Sequence, residues 1–157
     1  MCCVYDKPYK ESLSQMANTL KVIQSDETFE QRLAKLNLRN VMARVEEEYG
    51  IEGADLARAE ELYGKFLTLI AQRGDSEVSY APPRIVDLVW HTHITDTRAY
   101  ARDCDYLFGH FVHHVPTPRD GFVAEQTAPL STHDYFMQFD SYKRISPAMQ
   151  VTASCGN

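Results

Sequence analysis

The chain has 157 residues, about the length of one ordinary domain, and 44% of them are hydrophobic, which is enough to bury a core. Its formal net charge of −6 at pH 7 argues against general nucleic-acid binding, because that function needs a basic surface to neutralise phosphates. No apolar run approaches the roughly 20 residues that cross a bilayer, and Met1–Glu11 lacks the apolar stretch of a signal peptide. We therefore expect a soluble cytoplasmic protein with no nucleic-acid or membrane partner.

Four helices are predicted before the middle of the chain, because apolar residues recur there at helical spacing. The pattern is strongest in the fourth helix, where the apolar residues form one stripe. The first helix follows Pro8, the second starts at Asp26, and the others cover about 40–49 and 53–73, with Gly50 and Gly74 as their stops.

The second half of the chain contains one long predicted helix. After an extended connector that ends in Pro82-Pro83, this helix runs from about Arg84 to Phe108 and stops at Gly109. Beyond Pro116 the pattern weakens, and only one short helix, capped by Ser131 or Thr132, is predicted.

The predicted fold class is all-α, a single compact helical domain built around the long histidine-bearing helix. The helical domain covers 1–116, with its motif core at 53–116. An irregular C-terminal arm over 117–157 belongs to the same domain. The sequence gives no prediction of the oligomeric state.

The segment from Asp87 to Pro116 concentrates the residues that carry chemistry. It contains the only tryptophan, Trp90, one of the four cysteines, Cys104, and five of the six histidines. Imidazole, thiolate and carboxylate are the groups with which proteins bind transition metals and move protons. We therefore expect any active or binding site to lie in this segment. Its histidines are His91, His93, His110, His113 and His114.

Helical geometry limits which of these residues share a site. An α-helix turns about 100° per residue, so His91 and His93 point about 200° apart, and one ion bound by both requires a bent or broken helix. Asp87 and His91 are spaced i, i+4 and share a face, as two metal ligands or as a carboxylate–imidazole pair. His110, His113 and His114 follow Gly109 and could fold back onto either face.

A composite motif runs through this segment: Val86-Asp87-x-x-Trp90-His91-x-His93, Asp96-Thr97-x-x-Tyr100, Asp103-Cys104 and Phe108-Gly109-x-Phe111-x-His113-His114-x-Pro116. With these elements the chain resembles the glycine-rich domain-containing protein-like family over about residues 53–116. The resemblance implies a short stand-alone member of bacterial type, without a glycine-rich region and without a firmly assigned reaction. It also implies a functional set, which comprises Asp87, His91, His93, Asp103, Cys104 and His113 or His114.

The leading hypothesis is a metal-binding helical protein, and a metal-dependent enzyme, an oxidoreductase or a hydrolase, is the form of it that we favour. Its cofactor is a divalent transition metal (Fe, Cu or Zn), because imidazole and carboxylate ligands suit these ions. The substrate is a small molecule or a peptide, since no glycine-rich phosphate loop is present. The predicted metal ligands are His91, His93, His113 and His114, and the predicted catalytic residues are Asp87, Tyr100, Asp103 and Cys104.

Two alternatives remain open at this stage. In the first, the protein is a non-catalytic helical interaction module, His93 is a hydrogen-bonded core histidine, and the aromatic C-terminal arm docks a partner. In the second, a neighbouring histidine activates Cys104 for metal-free thiol chemistry.

Overall fold

The structure is a computed structural model that describes Met16 and residues 26–74, 80–114 and 132–150. Within these ranges the backbone forms eight α-helices and no strand, so the predicted all-α class is confirmed. None of these helices is long and apolar enough to cross a membrane. The helices are α1 (Phe29–Ala34), α2 (Arg39–Tyr49), α3 (Gly53–Arg73), α4 (Arg84–Thr95), α5 (Thr97–Phe108), α6 (Thr132–Met137), α7 (Asp140–Lys143) and α8 (Pro147–Gln150).

Local signals in the sequence explain three of the helix ends. Helix α1 begins with a capping box in which Thr28 Oγ1 accepts from the Gln31 N–H and the Gln31 side chain accepts from the Thr28 N–H. Helix α2 ends at Gly50, which has the left-handed backbone (φ 64°) that favours glycine. Helix α3 ends at Arg73 before Gly74, as predicted.

The chain divides into two compact units. The first consists of Met1–Leu36 and Thr97–Val112, and its described helices are α1 and α5. These two helices pack together through the rings of Phe29 and Phe108, whose centroids are 5.7 Å apart. The buried Arg32 guanidinium also donates to the Leu107 carbonyl, which lies in the last turn of α5. This bond satisfies a carbonyl that has no partner within the helix.

The second unit consists of Asn37–Asp96 and His113–Asn157, and it contains α2, α3, α4 and the three short C-terminal helices. Helix α4 packs against α2, α3 and α8. Helix α3 supplies the largest share of the buried apolar side chains, as its predicted stripe requires. Phe66 of α3 lies edge-to-face against Tyr80 and Trp90, so aromatic rings join α3 to the face of α4 that carries Trp90.

The predicted helix from Arg84 to Phe108 is wrong as a single element, because α4 ends at Thr95 and α5 starts at Thr97. Asp96 has left the helical conformation (φ −86°, ψ 73°), and its N–H bonds back to the His93 carbonyl. Thr95 Oγ1 donates to the Thr92 carbonyl at 2.8 Å. Threonine and aspartate side chains of this kind compete for backbone groups and favour helix ends.

The C-terminal arm has more regular structure than the sequence predicts. Three short helices replace the one predicted, since Phe139 is extended between α6 and α7 and Pro147 starts α8. Tyr142 is buried, and its hydroxyl donates to the Gln150 carbonyl at 2.7 Å. Tyr142 therefore stabilises packing within the arm, whereas the Tyr135 hydroxyl donates to the Lys65 carbonyl of α3 at 3.0 Å.

Part of the predicted organisation lies outside the described residues. This applies to the predicted helix after Pro8, except for Met16, which is helical and exposed, and to Cys2, Cys3 and Cys155. The division into a domain over 1–116 and an arm over 117–157 stays a prediction.

Candidate metal centre

Helix α4 places Asp87 and His91 on one face, because they are separated by one helical turn. Asp87 Oδ1 and His91 Nε2 are 3.7 Å apart. The Asp87 side chain is only 10% exposed, whereas that of His91 is 43% exposed. The pair therefore has a buried carboxylate and a solvent-facing imidazole.

The chain segment after α5 brings a third group to this pair. His114 Nε2 lies 3.0 Å from His91 Nε2 and 3.4 Å from Asp87 Oδ1, and its side chain is 16% exposed. Asp87, His91 and His114 thus direct three ligand atoms at one point, and they form a group that could hold a metal ion. The sequence predicts a His/Asp cluster in this segment, and the structure forms one from three of the predicted residues.

The separations within the group suit a metal ion, although the two imidazole nitrogens, 3.0 Å apart, are also within hydrogen-bond distance of each other. A charge-assisted N–H···O bond closes to roughly 2.7–2.9 Å, but the two nitrogen–carboxylate separations are 3.4 Å and 3.7 Å. Tetrahedral ligands at 2.0–2.1 Å from Zn²⁺ lie roughly 3.3 Å from one another. The shortest distance at which one point is equidistant from the three atoms is about 2.0 Å, which is a metal–ligand distance.

A series of aromatic rings in tilted or edge-to-face contact connects the group to the core. The His114 imidazole contacts the His91 ring, with centroids 4.6 Å apart, and the Trp90 indole, with centroids 4.5 Å apart. Trp90 in turn contacts Phe66 at 4.8 Å, and both Trp90 and Phe66 are buried. Four rings therefore run from the exposed His91 to the core of α3. The sequence predicts no role for Trp90 in the site, since nothing in local spacing places it against His114.

His93 lies elsewhere, on the buried side of α4. Its Nδ1 shares a 2.9 Å hydrogen bond with the Tyr63 hydroxyl, and the two rings meet edge-to-face at 5.9 Å. Both residues are almost fully buried. The half-turn between His91 and His93 thus separates a solvent-facing histidine from a core histidine, as the helical projection indicates. Within the described residues, the metal-binding group does not include His93.

Four other residues predicted for the site also lie outside the group. His113 is exposed and adjacent to His114. Tyr100, Asp103 and Cys104 are on α5, in the first unit. Tyr100 is buried and donates to the Val112 carbonyl at 2.8 Å, and Asp103 pairs with Arg102 at 3.3 Å. These contacts give Tyr100 and Asp103 local structural partners.

Cys104 is a buried thiol whose chemistry the surroundings suppress. Its side chain is on the buried face of α5, and the residue is only 3% exposed. Burial raises the pKa of the Cys104 thiol to about 11, because a thiolate there would lose its hydration. Reactive cysteines have the opposite character, with a lowered pKa and open access. The environment of Cys104 therefore argues against thiol catalysis.

Comparison with known proteins corrects the resemblance drawn from the sequence motif. The family model that matches is that of the UCP032817-like proteins, an uncharacterised family, and it matches residues 29–128. Nothing in that match indicates a glycine-rich domain-containing family, so the earlier assignment is wrong. Neither a curated protein nor a solved structure matches the chain. The matched region includes the whole Asp87–His91–His114 group, and the chain belongs to the UCP032817-like family.

Proposed function

We propose that this protein binds one divalent transition metal ion through Asp87 Oδ1, His91 Nε2 and His114 Nε2, and that the ion is the centre of its activity. The observation that carries the proposal is the convergence of these three atoms at separations of 3.0, 3.4 and 3.7 Å. A pair of imidazole nitrogens and one carboxylate is also a donor set that suits Zn²⁺ or Fe²⁺.

Zn²⁺ is the ion that the separations favour. Their mean is close to the spacing of tetrahedral ligands, whereas adjacent octahedral ligands at 2.1 Å would lie roughly 3.0 Å apart. The Asp87 carboxylate leaves a site with Zn²⁺ at a net charge of +1. Buried carboxylates need such a counter-charge, because isolated they are poorly solvated.

Three protein ligands leave a coordination position for water or substrate, which is the arrangement of catalytic rather than structural zinc sites. The exposure of His91 supports access of solvent to that position. A zinc ion bound there would lower the pKa of a bound water and so supply hydroxide near neutral pH. The reaction class that we propose is therefore hydrolysis of a small or peptidic substrate.

The binding proposal is tested by metal analysis of the untagged chain after dialysis against Zn²⁺. We expect about one Zn²⁺ per chain in the wild type, and loss of that ion in Asp87→Asn, His91→Ala and His114→Ala. His113→Ala is the matched control, because it removes an exposed imidazole next to His114 without touching the group. The wild-type reference and all variants carry Cys2→Ser, Cys3→Ser and Cys155→Ser, so that terminal thiols do not bind zinc. Equal zinc contents in the wild type and His114→Ala would refute the proposal.

The catalytic part needs its own measurement. A panel of chromogenic esters, phosphates and peptides is incubated with the zinc-loaded wild type, with the chelator-treated protein and with His114→Ala. We expect hydrolysis of at least one class by the zinc-loaded wild type and by His113→Ala, and none by the other two samples. Activity that survives chelation would contradict a role for the metal in the reaction.

A further inference from the structure

His114 differs from the other two ligands because no helix fixes it. Asp87 and His91 lie on α4, whereas His114 lies in irregular chain after α5. Metal-binding histidines are usually oriented by a hydrogen bond to the ring nitrogen that does not face the metal. Among the described residues, the hydrogen-bonding partners of His114 are His91 and Asp87, and both meet Nε2. Ring contacts must therefore set the direction of this imidazole.

Trp90 supplies the contact that can do this. Its indole centroid is 4.5 Å from the His114 centroid, at an interplanar angle of 51°. Trp90 itself is only 2% exposed and lies edge-to-face against the fully buried Phe66 at 4.8 Å. A buried side chain packed in this way has little freedom to move, so it presents a rigid surface to the His114 ring.

The other ring that touches His114 is that of His91, and it cannot hold the imidazole in the same way. His91 is 43% exposed, and it is itself one of the three groups that face the ion. Without Trp90 the His114 imidazole could rotate about its Cβ–Cγ bond and turn Nε2 away from the other two ligand atoms. Binding a metal would then require ordering of that side chain, which costs free energy.

We infer that Trp90 is the positioning residue of the metal centre, and that it acts by holding the His114 imidazole with Nε2 directed at the ion. The inference rests on the proposed function. Loss of an interaction that orients a ligand typically lowers metal affinity about 10- to 100-fold. We expect an effect in this range when the indole is replaced by an aliphatic side chain.

The test compares Zn²⁺ dissociation constants, measured by competition with a chromophoric chelator, in a double-mutant cycle of Trp90→Leu and His114→Ala. We expect Trp90→Leu to weaken binding about 10- to 100-fold in the wild type. His114→Ala keeps two ligands and should bind Zn²⁺ too weakly to retain it through dialysis, but competition with a weak chelator still measures its constant. In that background Trp90→Leu should change the constant less than twofold, because the residue through which it acts is gone. Trp90→Phe keeps a smaller ring against His114 and should restore most of the affinity. The visible spectrum of bound Co²⁺ should change in Trp90→Leu and return in Trp90→Phe.

Each outcome separates the two proposals. If the wild type binds zinc and Trp90→Leu binds it equally tightly, the inference about Trp90 fails while the metal centre stands. An equal loss in both backgrounds would show a general structural role of Trp90 and would also overturn the inference. If the wild type binds no zinc, the proposed function fails together with the inference. Should Trp90→Leu not fold, Trp90→Met and Trp90→Phe provide the same comparison.

Discussion

At the scale of single residues, position on a helix decides which histidine meets solvent. His91 and His93 are two residues apart, yet one faces Asp87 and His114 and the other bonds to Tyr63 in the core. A change of two positions turns a side chain by about 200°, from the exposed to the buried face of α4. The core-histidine role left open by the sequence therefore describes His93, while the metal hypothesis now depends on His91.

The bond between Tyr63 and His93 should contribute measurably to stability. Replacing Tyr63 by Phe removes a hydroxyl that shares a 2.9 Å bond with a buried ring nitrogen. We expect the free energy of unfolding to fall by about 1–3 kcal/mol, because the nitrogen would be left without that partner. Urea denaturation measures the change, and zinc content should stay at the wild-type level. A loss of less than about 0.5 kcal/mol would be typical of a surface site and would contradict the expectation.

The Cys104 thiol should make stability depend on alkaline pH. Its pKa is raised from an ordinary value of 9.0 to about 11, so the unfolded chain releases the proton before the folded protein does. The free energy of unfolding should therefore decrease as the pH rises from 9 to 11, by up to about 2–3 kcal/mol from this group. Cys104→Ala lacks the titration and is the control. Denaturation curves at pH 8 and pH 10.5 give the free energy of unfolding of both proteins. Between these two pH values it should fall further in the wild type than in Cys104→Ala.

Local spacing predicted only part of the site. The i, i+4 pair of Asp87 and His91 follows from helical geometry, and the structure brings both to one point. His114 could be predicted only as one of several histidines, because the path of irregular chain after a helix is not encoded in spacing. The same holds for Tyr63 and His93, which are 30 positions apart and meet through helix packing.

At the scale of helices, glycines predicted the ends of α2 and α3, whereas the start of α1 lies at Thr28 rather than Asp26 and the break inside the histidine helix was missed. Gly50 and Gly74 stop α2 and α3 because each adopts a positive φ that other residues avoid. At Asp96 the apolar periodicity continues from α4 into α5, so periodicity alone predicts one helix. The signal that could have revealed the break is the run Thr95-Asp96-Thr97, whose side chains favour helix ends.

Gly50 allows a direct measurement of this effect. A Cβ at position 50 would meet nothing within 4 Å. The free-energy cost of a side chain there therefore comes from the backbone conformation and not from clashes with neighbouring atoms. We expect Gly50→Ala to lower the free energy of unfolding by about 1 kcal/mol, because φ is 64°. Gly50→Asn should cost less, since asparagine tolerates the left-handed region. Equal stability of the alanine variant and the wild type in urea denaturation would contradict this account of the helix end.

At the scale of the whole molecule, a metal ion would link parts of the chain that are distant in sequence. His91 and His114 are separated by 23 positions, and helix α5 lies between them. An ion bound to both would join the two ends of this stretch. In the unfolded chain the two histidines are far apart, and bringing them together costs conformational entropy, so the unfolded chain binds the ion weakly. Binding to the folded protein alone therefore adds to its stability.

This linkage predicts a thermal shift that depends on one imidazole. At a free Zn²⁺ concentration 100 times the dissociation constant, the stabilisation is about 2.7 kcal/mol. For a chain of this size each kcal/mol raises the Tm by about 2–4 °C, so we expect a total shift of about 5–10 °C in calorimetry. His113→Ala should show the same shift and His114→Ala none, in the background without Cys2, Cys3 and Cys155. A shift of equal size in His114→Ala would mean that zinc stabilises the protein at another site, since the loop between His91 and His114 could then no longer be closed.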